Sequence, residues 1–153
     1  LEFRRVLFRS HHVSYLHTGT GTAFTGDVAG VRVLEGPVFP PTPPPDIDLD
    51  LWQTSVDLVA QWEPTTLALT HFGRWTDVAA HLDALRERLT TWGEIARTST
   101  ADEYAEKVTA FVESTTTDPV TRGAYMQANP PSTLYAGMQR HWAKKAERDA
   151  ATG

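Results

Sequence analysis

Two short motifs constrain this chain most: Thr25-Gly26-Asp27 and Thr70-His71-Phe72-Gly73. Each follows a run of residues typical of a β-strand, and each contains a glycine that lets the backbone turn near the strand end. Asp27 and His71 are therefore predicted to lie at strand ends, where rigid scaffolds usually present reactive groups. Carboxylate oxygen and imidazole nitrogen both bind zinc well. The two motifs thus predict a metal site to which Asp27 and His71 contribute.

The order and spacing of these motifs resemble the C-terminal half of the metallo-β-lactamase-fold hydrolases. The resemblance rests on three segments, His11–Leu16, Phe24–Asp27 and Leu69–Gly73. In that family a bridging aspartate follows a glycine at a strand end, and the last metal-binding histidine ends a later strand. The resemblance implies that Asp27 bridges two metal ions and that His71 binds the second.

The fold that the resemblance implies is α/β (α+β): the C-terminal half of a metallo-β-lactamase-type αββα sandwich, followed by a helical extension. Residues 11–95 would form that half of the domain, and residues 96–153 the extension. Residues 1–10 are interpreted as a foreign or junction segment, because the chain does not start with Met and Glu2-Phe3 is what a common cloning site encodes. A native strand around Val6–Phe8 is the alternative.

Two departures from the family bear on activity. The His-x-His-x-Asp-His motif, which supplies most ligands of the first metal and the general-base aspartate, is absent from these 153 residues. A further expected ligand falls at Phe8, and phenylalanine cannot bind zinc. A catalytic zinc ion takes about three protein ligands and a water. We therefore assign no catalytic residue, and we expect this chain alone to bind metal weakly and to be inactive.

Supporting roles are predicted for three further residues. His11 and His12 are adjacent, so on a strand they point to opposite faces. His12 matches a recurring second histidine of the family and is predicted to orient a metal ligand from the second coordination shell; the alternative is an ordinary polar residue on an edge strand. Gly26 and Gly73 are predicted to shape the loops that carry the two ligands.

The function that the resemblance implies for the parent protein is metal-dependent hydrolysis. The cofactor would be two zinc ions, with iron or manganese as alternatives, and the substrate a small ester, thioester, lactone or lactam. The competing hypothesis is a non-catalytic helical binding or assembly module on a degenerate scaffold of this type. A separation below about 5 Å between the Asp27 oxygens and the His71 ring favours the metal site, because metal–ligand bonds are about 2 Å long. Oxygen reduction at iron, as in some relatives, is a third alternative.

Composition limits the partners and the compartment. The net charge of −5 argues against a nucleic-acid surface, which needs clustered Lys and Arg. The chain has no cysteine and no long apolar stretch, so we expect neither a disulfide nor a membrane span. We predict a cytoplasmic protein with a small-molecule substrate. The aromatic residues of the C-terminal helices leave three alternatives open: a helical core, a lid over the substrate, or a homodimer contact.

Secondary structure follows from periodicity and capping residues. Strands are predicted over residues 12–17, 20–25 and 30–34. Helices are predicted to begin at five capping residues, Asp48, Thr76, Thr100, Asp118 and Ser132. The helix after Thr76 has an apolar stripe with spacings of three and four residues. His81 is predicted to lie on the exposed side of that helix, whereas His141 in the last helix is predicted to be structural.

Overall fold

A computed structural model describes residues 3–7, 13–44, 47–71 and 73–152, with only the backbone described for residues 3–7 and 152. The elements follow in this order: β1 (Phe3–Leu7), β2 (Val13–His17), β3 (Thr22–Gly26), α1 (Leu49–Ala60), β4 (Thr66–Leu69), β5 (Gly73–Trp75), α2 (Val78–Thr98), α3 (Ala101–Thr115), α4 (Pro119–Ala128) and α5 (Pro131–Thr152). The chain divides into two compact units. The first comprises Leu1–Pro41 and Asp50–Leu89, and the second comprises Thr42–Leu49 and Thr90–Gly153.

The first unit is built on a five-stranded sheet in the order β1-β2-β3-β4-β5. Strands β1, β2 and β3 are antiparallel neighbours, and β5 is antiparallel to β4. Strands β3 and β4 run parallel, with α1 in the connection between them, as a parallel pair requires a long crossover. The carboxyl ends of β3 and β4 consequently meet at one edge of the sheet.

One face of this sheet is part of the core of the first unit. Residues alternate along β2 and β3 between buried and exposed positions, as expected for a sheet that is covered on one side. Buried apolar side chains of this unit include Leu16, Ala23, Trp52, Val56, Leu82 and Leu85. On the opposite face, Tyr15 and Phe24 are partners in register and remain 43% and 50% exposed.

The second unit is helical and has an aromatic core. The Trp92 ring meets Tyr104 and Phe111 edge-on, with ring centres 5.9 and 5.5 Å apart, the geometry that aromatic quadrupoles favour. Tyr104 is fully buried, and its burial raises the pKa of its hydroxyl. His141 is also buried and accepts a hydrogen bond from the Leu49 amide at 3.2 Å. The burial and this hydrogen bond agree with the prediction that His141 is structural.

Strand predictions hold in part. The first two predicted strands correspond to β2 and β3 within two residues. The strand predicted over residues 30–34 is wrong, since the segment is irregular and Leu34 lies in the left-handed region with φ of 49°. Only an isolated bridge between Val31 and Phe39 is found in its place within the described residues. The short strand β5 was not predicted, because three residues are too few to show a periodic pattern.

Helix predictions differ from the structure mainly at the caps. α1, α3 and α4 begin directly after the predicted capping residues. α2 begins at Val78, so Asp77 rather than Thr76 precedes it, and α5 begins at Pro131, which places Ser132 inside its first turn. Among the described residues, no helix combines the length and the apolar character needed to cross a membrane.

Candidate metal site

Asp27 directly follows the parallel strand β3, and His71 lies two residues after the end of β4. β3 ends at Gly26, β4 ends at Leu69, and these two residues are partners in register. His71 lies in the short turn before β5, which starts at Gly73. Gly26 and Gly73 have φ of 56° and 109°, values at which a side chain is strained. The two glycines therefore allow the chain to turn at the strand ends, as required to place both side chains at one edge.

The two side chains lie together at this edge. His71 Nε2 is 3.6 Å from Asp27 Oδ1, and the side chains are 53% and 27% exposed. Two atoms bound to one tetrahedral zinc ion at about 2.0–2.1 Å are about 3.3–3.4 Å apart. The observed separation is therefore close to that of two ligands on one ion. It also falls below the ~5 Å limit that favours a metal site over two unrelated polar residues.

The pair alone does not make a complete metal site. In the part of the chain that the structure describes, no group of three or more His, Cys, Asp or Glu residues could hold a metal ion. A catalytic zinc takes about three protein ligands. The carboxylate of Asp27 and the imidazole of His71 fit two of these positions.

The turn that carries Asp27, residues 25–30, is called the Asp27 turn below. Its backbone is closed by two hydrogen bonds, from the Val28 amide to the Thr25 carbonyl at 3.1 Å and from the Gly30 amide to the Asp27 carbonyl at 2.9 Å. The buried Ser14 hydroxyl also donates to the Thr25 carbonyl at 2.9 Å. Asp27 thus projects from a turn with internal hydrogen bonds, whose start is also tied to β2.

Two helices hold the far side of the Asp27 turn. Trp52 of α1 donates its indole Nε1–H to the Val28 carbonyl at 2.8 Å. His81 Nε2 of α2 lies 2.8 Å from the Ala29 carbonyl oxygen. Because a carbonyl oxygen only accepts, the His81 hydrogen must be on Nε2. Consecutive carbonyls of the turn are therefore held by side chains from different helices.

The prediction that His81 is exposed is wrong. Its side chain is 1% exposed, and burial holds the pKa of its imidazole below the usual 6.5. His81 lies three residues after Val78 and four before Leu85, so it belongs to the buried stripe of α2. That spacing was the available sequence signal, although it does not identify the Ala29 carbonyl as the partner.

Arg32 fixes the segment that follows the Asp27 turn. Its guanidinium lies 3.8 Å from the centre of the Trp75 ring, donates to the Gly36 carbonyl at 2.9 Å and pairs with Asp77 at 2.8 Å. This hydrogen bond from Arg32 is the main reason why the pKa of Asp77 lies below its usual value. The loop after β3 is thereby connected to the junction between β5 and α2.

The remaining predicted site residue cannot be placed. His12 lies outside the described residues, as does Phe72 next to His71, so the role of His12 in orienting a ligand stays a prediction.

A pocket of about 390 Å³ is lined by Pro64, Thr65, Val78 and other residues that do not include Asp27 or His71. Thr65 precedes β4 whereas His71 follows it, so this pocket lies at the opposite end of that strand.

Two solved structures are similar to the chain. A metallo-β-lactamase family protein from Thermus thermophilus is 18% identical, with a TM-score of 0.59, and the match covers 98% of this chain and 47% of that one. A metallo-β-lactamase superfamily protein from the archaeon Sulfolobus tokodaii is also 18% identical, with a TM-score of 0.54 and coverage of 90% and 45%. The chain has the metallo-β-lactamase fold.

The predicted metallo-β-lactamase resemblance and the mixed α/β class are therefore confirmed at the level of the fold. No protein-family model matches the sequence, and no curated protein is significantly similar to it. The chain spans about half the length of the two metallo-β-lactamase proteins. The division at residues 10 and 95 stays a prediction.

Proposed function

We propose that Asp27 and His71 are two of the protein ligands of a zinc centre in a metal-dependent hydrolase of the metallo-β-lactamase superfamily. The observation that supports this most is the 3.6 Å separation of Asp27 Oδ1 and His71 Nε2 at the carboxyl ends of adjacent parallel strands. The fold adds support, because this superfamily is generally hydrolytic and its members generally bind metals.

The two residues have complementary roles in this proposal. Asp27 supplies an anionic oxygen that can bridge two ions, and His71 supplies a neutral ring nitrogen. When bound, zinc supplies a water with a pKa lowered toward ~7 and polarises the oxygen of the scissile bond. No described residue is proposed as the general base or as a further ligand. For the chain alone we expect weak zinc binding and no efficient turnover.

The preferred substrate is a small ester, thioester, lactone or lactam. The chain carries a net charge of −5, which repels polyanions and disfavours nucleic-acid phosphodiesters. A zinc centre with oxygen and nitrogen ligands acts as a Lewis acid on a carbonyl oxygen. A small carbonyl compound therefore suits the site better than a nucleic acid.

A zinc titration followed by NMR of the histidine side chains tests the proposal. The ring signals of His71 are expected to shift with zinc, and Asp27→Asn is expected to weaken this binding about tenfold or more, because half of the available ligands are lost. His11 is replaced by Gln in every sample, so that it does not bind the added zinc together with the adjacent His12.

The matched control is His17→Gln. His17 lies at the end of β2 that pairs with Thr22, far along β3 from Asp27, and its ring Nδ1 is 2.9 Å from the Thr20 hydroxyl. This variant is expected to leave zinc binding at His71 unchanged. The proposal fails if zinc leaves the His71 ring unaffected, or if Asp27→Asn binds zinc at His71 as tightly as the unsubstituted protein.

A non-catalytic binding or assembly module is the second candidate. It is favoured by the lack of a third metal-type ligand beside Asp27 and His71 within the described residues. In that case the pair is a partly exposed polar contact at the surface, and such contacts contribute little to stability. The same titration separates the candidates, since the module predicts no zinc-dependent change at His71.

A further inference from the structure

The Asp27 turn is held from two directions by side chains that are not at the proposed metal site. Trp52 donates to the Val28 carbonyl and His81 to the Ala29 carbonyl, each at 2.8 Å. Val28 is the residue directly after Asp27. The orientation of the peptide groups that follow the Asp27 carboxylate is therefore determined by two hydrogen bonds from different helices.

Both donors are removed from water. Trp52 is 0% and His81 1% exposed, and Val28 and Ala29 are both 0% exposed. Water cannot replace either bond when it breaks, so loss of a donor leaves a buried carbonyl without that partner. Such bonds hold a turn more firmly than bonds at the surface do.

The other end of the turn has no spare room. Gly30 has φ of 74°, and a Cβ atom built there would lie 2.8 Å from the Phe39 carbonyl oxygen and 3.0 Å from a Leu85 methyl carbon. The turn cannot relax toward these neighbours without moving backbone. Its two side-chain hydrogen bonds and its packing therefore restrain three consecutive residues, Val28, Ala29 and Gly30.

The chemistry of His81 also indicates a positioning role. Its Nε2–H makes the bond to Ala29, whereas Nδ1 is buried with no hydrogen-bond partner among the described residues. A buried polar atom without a partner is costly, and an apolar side chain here would in turn leave the buried Ala29 carbonyl without its donor. The bond to the Asp27 turn therefore accounts for a histidine at this buried position.

We infer that Trp52 and His81 are positioning residues for Asp27, which hold the Asp27 turn so that its carboxylate faces His71. The inference rests on the proposed function for the importance of Asp27 as a ligand. The restraint of the turn by Trp52 and His81 can be measured without metal.

The test compares Trp52→Phe and His81→Leu, which remove the two donors, with the unsubstituted protein. Hydrogen exchange of the Val28 and Gly30 amides, which donate within the turn, is expected to accelerate about tenfold relative to the Tyr15 amide in β2. Zinc affinity at His71 is expected to fall several-fold. His81→Gln keeps a side-chain N–H donor and is expected to restore most of both properties.

Trp142→Phe is the matched control. Trp142 donates its indole Nε1–H to the Gly93 carbonyl at 2.9 Å within the second unit, so this variant loses the same kind of bond elsewhere. It is expected to leave turn exchange and zinc affinity unchanged. The inference is overturned if Trp52→Phe and Trp142→Phe behave alike, or if His81→Gln is no better than His81→Leu.

The outcomes also separate this inference from the proposed function. If Asp27→Asn does not weaken zinc binding at His71, the proposed function fails, and faster exchange in Trp52→Phe still supports restraint of the turn. If zinc binding depends on Asp27 but neither exchange nor affinity changes in Trp52→Phe, the positioning role fails alone. Trp52→Phe also decides the matter if His81→Leu does not fold.

Discussion

The guanidinium carbon of Arg32 lies 3.8 Å from the centre of the Trp75 ring. The same group pairs with Asp77 and donates to the Gly36 carbonyl, and only 17% of the Arg32 side chain is exposed. Lysine keeps the charge but loses the planar stacking and the forked donors. Arg32→Lys is therefore expected to lower the free energy of unfolding by about 1–2 kcal/mol, measured by urea denaturation.

Arg74→Lys is the control for this substitution. Arg74 is exposed on β5, one residue before Trp75. Its substitution by Lys is expected to change the free energy of unfolding by less than about 0.5 kcal/mol. Equal stability of Arg32→Lys and Arg74→Lys would show that the ring contact and the hydrogen bonds of Arg32 contribute nothing measurable.

Gly137 in α5 allows a close approach of backbone. A Cβ atom built there would overlap the Thr42 carbonyl oxygen and lie 2.7 Å from a methyl carbon of Ile47. Although Ala is intrinsically better than Gly in a helix by about 1 kcal/mol, Gly137→Ala is expected to destabilise by about 1–3 kcal/mol because of overpacking. Thermal or urea unfolding measures the change.

For Gly123 in α4, substitution by Ala is expected to have the opposite effect on stability. A Cβ atom at Gly123 meets nothing within 4 Å, so Gly123→Ala is expected to stabilise the protein by about 0.5–1 kcal/mol through helix propensity alone. If both Ala variants were stabilising, the close approach at Gly137 would be contradicted.

The Asp27–His71 pair could be predicted from sequence because local signals define each strand end. A strand-like run, a glycine and one polar side chain occur twice, and the resemblance orders the two motifs in one sheet. The separation of the two atoms required the structure, since it depends on the parallel pairing of β3 with β4. That pairing is non-local, so neither motif contains a sequence signal for it.

His81 and β5 show what the sequence could not specify. The sequence predicts His81 on the exposed side of α2, because histidine is a polar residue. In the structure, His81 is buried against the Ala29 carbonyl. Whether a histidine is buried depends on such a partner, which is 52 residues away. β5 has three residues and pairs with β4, so tertiary contacts rather than intrinsic periodicity define it.

Acidification is expected to weaken the fold through His81. Burial is the main cause of its lowered pKa, the charges of Arg32 and Arg88 lower it further, and Asp77 and the Ala29 bond oppose them. Below pH ~6.5 the unfolded chain therefore binds a proton that the folded chain resists. The stabilising contribution is complete above pH ~6.5 and is lost as the pH falls through the folded pKa.

Unfolding free energies of the unsubstituted protein and His81→Gln between pH 7.5 and 5 measure this effect. The substitution is expected to remove a slope of up to about 1.4 kcal/mol per pH unit. Trp142→Phe controls for a general loss of stability and should keep the slope of the unsubstituted protein. An identical slope in His81→Gln would mean that another group causes the pH dependence.

The start of α3 depends on a reciprocal capping box. Thr100 Oγ1 accepts from the Glu103 amide at 3.3 Å, and Glu103 Oε2 accepts from the Thr100 amide at 2.7 Å. Thr100→Ala removes the hydroxyl acceptor for an otherwise unsatisfied helix amide and is expected to cost about 1 kcal/mol of unfolding free energy. Thr100→Ser keeps the acceptor and should stay within about 0.5 kcal/mol of the unsubstituted protein. Because α3 also contributes Tyr104 and Val108 to the buried core, urea unfolding followed by circular dichroism will report the loss, and equal midpoints for the Ala and Ser variants would contradict a role for the hydroxyl.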